Sequence, residues 1–301
     1  MGSYLTEHFL KDPECGVICL DNFDDYYDPQ IKRRNIERFT SYPNYTIIKG
    51  DIRDKSLLKK IMIDIDYIFH EAAQAGVRIS VEDPIKSHEV NATGTLNLLE
   101  TARNADVKKI INASSSSVYG KTKYLPFDEA HPTEPVSPYG VSKLMAEHYC
   151  RVFQELYDLK TVSLRYFTVY GPFMRPDLAI HIFMHKALHN EPIIIFGDGT
   201  KTRDFTFIKD IVQANIKSMN KGSGIYNIGG GYNISVQELA EKIIAVARST
   251  SKITYENAVK GDAEHTSANI KKAEKELGWV PKTTLDEGLE IYKKWIQHYQ
   301  L

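Results

Sequence analysis

The sequence predicts an α/β fold: a doubly wound parallel sheet with a smaller C-terminal α/β lobe. Three observations carry that expectation. Short apolar runs alternate with amphipathic helical stretches from the start of the chain, the pattern of a parallel sheet covered on both faces. Beyond Gly171 the texture changes to shorter strands between helices of mixed length. No internal repeat, low-complexity stretch or long linker separates the halves, so the smaller lobe closes over the ends of the sheet strands. Open α/β sheets bind their ligands at those carboxyl ends.

In chain order, the apolar runs predict strands at 17–21, 45–50, 67–72, 109–114 and 161–166. Between them helices are expected at 3–11, 29–39, 54–62, 85–105 and 138–157. Leu96, Leu99 and Ala102 form a core-facing stripe on the fourth of these, with Val107 just beyond. The later texture predicts helices at 178–188, 209–219, 235–248, 270–277 and 285–298. Strands are expected there at 193–196, 202–207 and 252–256, with the run from Ile225 to Gly231 following the helix at 209–219.

The 301 residues fit one large two-lobed unit, and 42% hydrophobic with 26% charged residues is ordinary for a soluble globular protein. A formal charge of −1 gives no electrostatic reason to expect nucleic acid or an acidic membrane surface. No apolar run reaches the ~20 residues that span a bilayer, and no basic-then-apolar leader opens the sequence. Met1-Gly2-Ser3-Tyr4-Leu5-Thr6 satisfies a myristoylation pattern, but Gly2 has a better explanation below. Cys15, Cys19 and Cys150 are too scattered for a disulfide framework and read as free thiols in a reducing cytoplasm. No metal site is expected: Cys15 and Cys19 lack a second ligand pair, and the ten histidines read as having no paired metal spacing.

Chemistry concentrates in Ser114-Ser115-Ser116-Ser117-Val118-Tyr119-Gly120 and Ser137-Pro138-Tyr139-Gly140-Val141-Ser142-Lys143. Tyr139 and Lys143 are four residues apart, which on a helix puts both side chains on one face. A phenol has an ordinary pKa near ~10, and an adjacent ammonium favours its anion. The pair can therefore supply a phenolate base, with a serine hydroxyl as a hydrogen-bonding relay. Alone, Tyr-x-x-x-Lys is a weak signal. A serine run at a strand end and a Ser-Pro helix start make it a strong one.

Other segments join these: Leu20-Asp21-Asn22, Gly50-Asp51-Ile52, His70-Glu71-Ala72-Ala73-Gln74, Asn91-Ala92-Thr93-Gly94-Thr95, Arg165 to Pro172, and Gly197-Asp198-Gly199 followed by Arg203-Asp204-Phe205. In this order and spacing they resemble the extended short-chain dehydrogenase/reductase superfamily and, within it, the nucleotide-sugar epimerases. The resemblance runs along essentially the whole chain. It implies an NAD-binding Rossmann domain over 1–168 and a UDP-sugar-binding lobe over 169–301, with a segment near 207–230 returning to the main sheet.

For the cofactor, Asp21 follows Gly2 by about 19 residues, near the ~20 expected of a carboxylate that binds a ribose diol. Such a carboxylate favours NAD over NADP. The resemblance adds Gly2, Asn22, Asp51, Ile52, Ala72, Ala73, Gln74, Asn91 and Tyr166 to the cofactor side, with Tyr139 and Lys143 reaching it as well. Relatives open with a strand and a loop of the type Thr-Gly-x-x-Gly-Phe-Ile-Gly. Here Met1 to Leu10 looks like the last glycine and the helix after it. We therefore expect the strands that would flank such a first strand to have unpaired edges. We also expect NAD binding to be weaker by about 10²-fold or more, the worth of two lost phosphate contacts.

For catalysis, Ser115 matches the catalytic hydroxyl of sugar-nucleotide 4-epimerases. Ser115-Ser116-Ser117 stands where the related 4,6-dehydratases carry Thr-Asp-Glu, so the carboxylates for water elimination are missing. The related UDP-glucuronate decarboxylases place Glu at Ser117. Thr168, where many epimerases have Asn, resembles the UDP-glucuronate 4-epimerases, as do Asp25-Tyr26-Tyr27-Asp28-Pro29 and the run from Ala73 to Arg78. For the substrate, Arg175 is suited to hold a sugar carboxylate bidentately, although an ion pair with Asp177 is the competing reading. By resemblance Arg203 neutralises the UDP pyrophosphate, Asp262 lines the substrate site, and Phe196 stacks near uracil, with a core position as its competing reading; Arg78 serves the substrate site or equally a lid or a cofactor phosphate. Asn269 replaces the Asp usual in relatives.

The expected activity is NAD-dependent C4 epimerisation of a UDP-sugar, first of all UDP-glucuronate to UDP-galacturonate, through a 4-keto sugar. UDP-glucose or UDP-N-acetylglucosamine is the alternative substrate. A non-catalytic nucleotide-sugar-binding protein is the alternative of another class. The long helices at 85–105 and 138–157 pair into a four-helix homodimer interface in relatives.

Overall fold

The computed structural model describes residues 1–257 and 264–299. The first half runs α1 (Gly2–Phe9), β1 (Val17–Asp21), α2 (Pro29–Glu37), β2 (Tyr45–Lys49), α3 (Lys55–Ile61), β3 (Tyr67–His70), α4 (Val77–Glu82), α5 (Pro84–His88) and α6 (Gly94–Ala102). It continues with β4 (Lys109–Ser115), α7 (Pro138–Tyr157), β5 (Thr161–Tyr166) and β6 (Thr168–Tyr170). The second half runs α8 (Ala179–Leu188), β7 (Ile193–Phe196), β8 (Thr202–Arg203), β9 (Phe205–Phe207), α9 (Ile208–Asn220) and β10 (Gly224–Ile228). It closes with β11 (Ile234–Ser235), α10 (Val236–Ala247), β12 (Ile253–Glu256) and α11 (Leu285–Tyr299).

Local chemistry marks the helix starts. Asp28 and Asp54 cap α2 and α3 through their carboxylates, and Ser137 caps α7 by accepting from Gly140 N, with Pro138 next in the first turn. Ser235 and Glu238 form a reciprocal capping box on α10. Asp158, in the left-handed conformation, ends α7.

The central sheet has the order β10-β5-β4-β3, all parallel. Its interior strands are buried on both faces, and successive residues serve opposite layers. Ile110 packs with Leu58, Leu99, Cys150 and Phe153, whereas Ile111 packs with Leu164, Ile211, Ala214 and Trp279. The C-terminal lobe has its own core, including Phe183, Met184, Ile195, Leu239 and Leu289. The strand β10 returns from that half to pair with β5.

Two expected elements are divided. The helix at 85–105 passes through a π-helical turn, Glu89–Thr93, and ends at Ala102. The turn holds buried Asn91, whose side chain reaches both Gln74 and Ser142, so the helix widens where it serves the cleft. The strand at 202–207 splits because Asp204 turns inward. Its carboxylate accepts from Gly230 N and Ala268 N, leaving β8 to pair with β11 and β9 with β6.

The strands β1 and β2 pair with each other, yet β1 has no ladder to β3. Leu20 of β1 and Ile68 of β3 nevertheless pack against one apolar cluster, and Phe9 of α1 touches Phe69 of β3 at 5.1 Å between ring centroids. Shared layers hold the two sheets together, while among the described residues β1 pairs only with β2 and β3 only with β4.

Candidate active site

The serine run lies at the carboxyl end of β4, where the chain makes a 3-10 turn over Ser116–Val118. Ser115 Oγ accepts from Ser117 N at 3.2 Å, lies 3.1 Å from Ser117 Oγ, and bonds the Tyr139 hydroxyl. The first turn of α7 presses against this loop. A Cβ on Gly140 would sit 2.5 Å from the Ser117 carbonyl oxygen, so glycine after Tyr139 permits the approach. The structure thus brings Ser115, Tyr139 and Lys143 together as the sequence predicted.

The electrostatics differ from expectation. Desolvation pushes the Tyr139 phenol above its ordinary value; Arg175 and the Ser115 hydrogen bond oppose this, and Glu71 adds to it. The cation that favours the phenolate is therefore Arg175 and not Lys143. Lys143 is 4% exposed and donates to the Ala113 carbonyl at 2.7 Å. Burial lowers its pKa to about 8, with Glu71 partly offsetting.

Sequence reasoning missed Glu147. It continues the Tyr139, Lys143 face by another four residues, and that spacing was the available signal. Its carboxylate accepts from the Ser114 hydroxyl and takes a bidentate pair from Arg165 at 2.9 and 2.7 Å. The residue before Ser115 is thereby tied to the helix that bears Tyr139.

On the expected cofactor side, α1 begins at Gly2 with no side-chain cap, and nothing lies within 4 Å of where a Cβ of Gly2 would be. Asp21 ends β1 with Oδ1 accepting from Phe23 N at 2.7 Å. Asn22 Nδ2 donates to Asp51, which also pairs with Arg53; these contacts hold the Asp51 carboxyl low, at about 2. Ile52 is buried beneath Gly94. Ala72 and Ala73 are half-buried after β3, and Gln74 is fixed through its backbone by Asn91. The Tyr166 hydroxyl is spent inside the protein, donating to Glu71 Oε1 at 2.9 Å and accepting from Asn215 at 2.8 Å. An uncapped helix start, a strand-end carboxylate and small residues after β3 fit a dinucleotide.

On the expected substrate side, Arg175 Nε lies 3.2 Å from Asp177 Oδ1, so the competing ion pair does form. Arg175 Nη1 is nevertheless buried with no partner. Thr168 is half-buried on β6. Arg203 Nη1 bonds the carbonyls of Thr202 and Glu264. Phe196 is 45% exposed, not core, and the guanidinium of Arg78 stands over its ring at 5.6 Å. Asp262 lies outside the described residues.

One sequence statement needs correction: His181, His185 and His189 do recur every fourth residue along α8 and its end. Their rings stack in series, His189 Nδ1 is bonded to the His185 carbonyl, and His181 Nδ1 to the Tyr292 hydroxyl. Among the described residues no group of three or more possible ligands gathers to hold a metal, and no helix is long and apolar enough to cross a membrane.

A parallel sheet ending in a Ser-Tyr-Lys cluster fits a site of the extended short-chain dehydrogenase/reductase class. The chain belongs to that class's nucleotide-sugar epimerase family; the model of the family described as GDP-mannose 4,6 dehydratase matches residues 1–292. It is 38% identical to the UDP-glucuronate 4-epimerase of Thermodesulfobacterium geofontis over 98% of this chain and 92% of that one. Bacillus cereus UDP-glucuronic acid 4-epimerase, solved with UDP-glucuronic acid and NAD, superposes with a TM-score of 0.93 at 34% identity, covering 99% and 96% of the two chains. Thermotoga maritima UDP-glucose 4-epimerase, solved with UDP-glucose, also reaches 0.93, at 32% identity over 100% and 96%.

Lys143 carries a stability cost that follows from its burial. A lysine whose folded pKa is about 8 rather than 10.5 is stabilised by high pH: the penalty is absent above 10.5 and fully present below 8. At pH 7 it amounts to roughly 3 kcal/mol. Lys143→Met is therefore expected to unfold at higher urea than the parent at pH 7, with the gap narrowing as pH rises past 8. Urea titrations at pH 7 and pH 10 check this; a less stable variant at pH 7 would contradict it.

Proposed function

We propose that this chain is an NAD-dependent UDP-sugar 4-epimerase whose substrate is UDP-glucuronate, converted to UDP-galacturonate through a 4-keto sugar. The observation that carries the choice of substrate is Arg175: its Nη1 is buried without a partner, and its charge acts on Tyr139. A sugar carboxylate presented there would satisfy that nitrogen with a charge-assisted hydrogen bond. The same atom gives a neutral hexose no comparable partner. UDP-glucose remains the second reading, supported by the Thermotoga maritima neighbour.

For the cofactor, Asp21 would hold the adenosine ribose, the start of α1 at Gly2 the pyrophosphate, and Lys143 the nicotinamide ribose. NAD, when bound, accepts the C4 hydride and returns it, with no net consumption. The protein's part is proton transfer. Tyr139 takes the C4 hydroxyl proton, with Ser115 bonded to the phenol to stabilise the anion and relay the proton. The 4-keto sugar then turns over in the cleft and presents the opposite face of C4, and Tyr139 returns the proton to the C4 oxygen. Arg203 is the candidate for the UDP pyrophosphate, and Arg78 with Phe196 for the nucleotide end. A binding protein would need no phenol held against a serine in this way.

Tyr139→Phe is expected to lose at least ~10²-fold in kcat with the fold intact, the scale of a general base. Arg175→Leu is expected to lower kcat on both sugars, because its charge favours the Tyr139 anion, and to raise KM for UDP-glucuronate alone about tenfold or more, the worth of one charged hydrogen bond. Coupled assays on both sugars read this. Full activity in Tyr139→Phe sinks the enzyme assignment, and an unchanged acid KM in Arg175→Leu sinks the substrate.

We further propose a homodimer, and a cytoplasmic location suited to three free cysteines. Val81, Ile85 and Val141 are 57%, 70% and 47% exposed, beside a cleft lined by Pro84, His88, Pro135 and Pro138. An apolar patch of that kind on α4, α5 and α7 suits a two-fold interface. Sedimentation equilibrium at micromolar concentration is expected to give twice the chain mass; the mass of one chain, together with an Ile85→Glu variant that behaves identically, would refute the interface.

A further inference from the structure

We infer that Tyr26 and Asp177 form a strut that positions Arg175, and that this strut sets the preference for an acidic over a neutral sugar. The inference rests on the proposed role of Arg175 and extends it to two residues outside the catalytic cluster.

The geometry is a relay of three side chains. The Tyr26 hydroxyl donates to Asp177 Oδ2 at 2.8 Å, and Asp177 Oδ1 lies 3.2 Å from Arg175 Nε. Each carboxylate oxygen thus has one task. The guanidinium also lies over the Tyr26 ring, 5.2 Å from its centroid. Arg175 is consequently held along its Nε edge and against one face, with Nη1 left over. Arginine has five donors on a planar fork, so fixing one edge fixes where the others point.

Tyr26 is itself fixed, by the loop that follows β1. Between Asp21 and Tyr26 the chain is folded by consecutive side-chain-to-backbone bonds. Asp21 accepts from Phe23 N, Asn22 from Asp24 N, and Asp24 from Tyr26 N, at 2.7, 2.9 and 2.9 Å. Lys86 clamps Asp24 at 2.8 Å. The phenol oxygen rests on Gly76, where a Cβ would stand 2.8 Å away and where φ is +108°, so only glycine leaves room for the hydroxyl. Burial and the Asp177 carboxylate push the Tyr26 phenol up to about 12, so it stays protonated and can serve Asp177 only as a donor.

The strut therefore runs from the strand-end carboxylate Asp21 to Arg175, linking the expected ribose site to the expected sugar site through five residues of folded loop. Without it, Asp177, at 37% side-chain exposure, can turn to water and Arg175 loses the contact that aims Nη1. A neutral sugar makes no demand on that aim.

The test is Tyr26→Phe, which removes one oxygen and keeps the ring, assayed as the intact dimer or monomer with NAD present. KM for UDP-glucuronate is expected to rise about five- to tenfold, kcat to stay within about twofold, and the inhibition constant of UDP-glucose to stay within about twofold, as for loss of one hydrogen bond to a charged group. Asp177→Asn is expected to raise the same KM, and the double variant to be no worse than Asp177→Asn alone, the signature of residues acting in series. Equal losses on both sugars in Tyr26→Phe would mean a structural role only and overturn the strut. If Arg175→Leu raises the acid KM while Tyr26→Phe does not, the strut fails and the carboxylate reading stands. If Arg175→Leu leaves the acid KM unchanged, the carboxylate reading fails and takes the strut with it.

Discussion

One buried ion pair sets the geometry on which the site depends. Glu147 and Arg165 are 1% and 3% exposed, and they join the middle of α7 to β5. Glu147 also takes the hydroxyl of Ser114, so a single carboxylate holds the helix that bears Tyr139 and the strand end that bears Ser115. Apolar packing could place α7 on the sheet, but it is non-directional and tolerates sliding. A bidentate arginine pair is directional, and removing one partner strands a buried charge at a cost of about 3–5 kcal/mol. Arg165 is held in turn by the Tyr119 ring, 4.7 Å from its centroid, and the Tyr119 hydroxyl bonds Asn227 of β10. The register of the catalytic helix is thereby tied to the strand that returns from the C-terminal half.

Much of the fold was legible because the relevant signals are local. Apolar runs of five or six residues announce strands, and Ser137-Pro138 announces the start of α7, whose bounds match the expectation residue for residue. The misreadings occur where a side chain turns the backbone to a purpose set by distant residues. Asp204 splits a strand because Gly230 and Ala268 supply its hydrogen bonds, and neither is near in sequence. Asn91 opens a π-helical turn because Gln74 and Ser142 meet it from two other elements. No periodicity within the segment carries that information.

The site divides in the same way. Ser115, Tyr139 and Lys143 could be named from spacing, because a helix face and a strand end are enough to bring them together. Glu147, Asp177 and Tyr26 could not be given their tasks, because their partners lie 33, 151 and 151 residues or a lobe away. Arg175 was caught between two readings; the structure shows the ion pair, with Asp177 at its Nε, and leaves Nη1 buried without a partner.

That double engagement bears on how the phenol is readied. Burial opposes the Tyr139 anion, and the first group that favours it is Arg175, ahead of the Ser115 hydroxyl. Lys143, the cation usually invoked for such a phenol, is turned to the Ala113 carbonyl, and burial lowers its pKa to about 8. A carboxylate arriving on Arg175 would offset part of the charge that Tyr139 relies on, whereas a neutral sugar would leave it whole. An arginine whose Nε is already paired with Asp177 therefore serves two ends at once, and a change in its charge is felt at the phenol as well as at whatever meets Nη1.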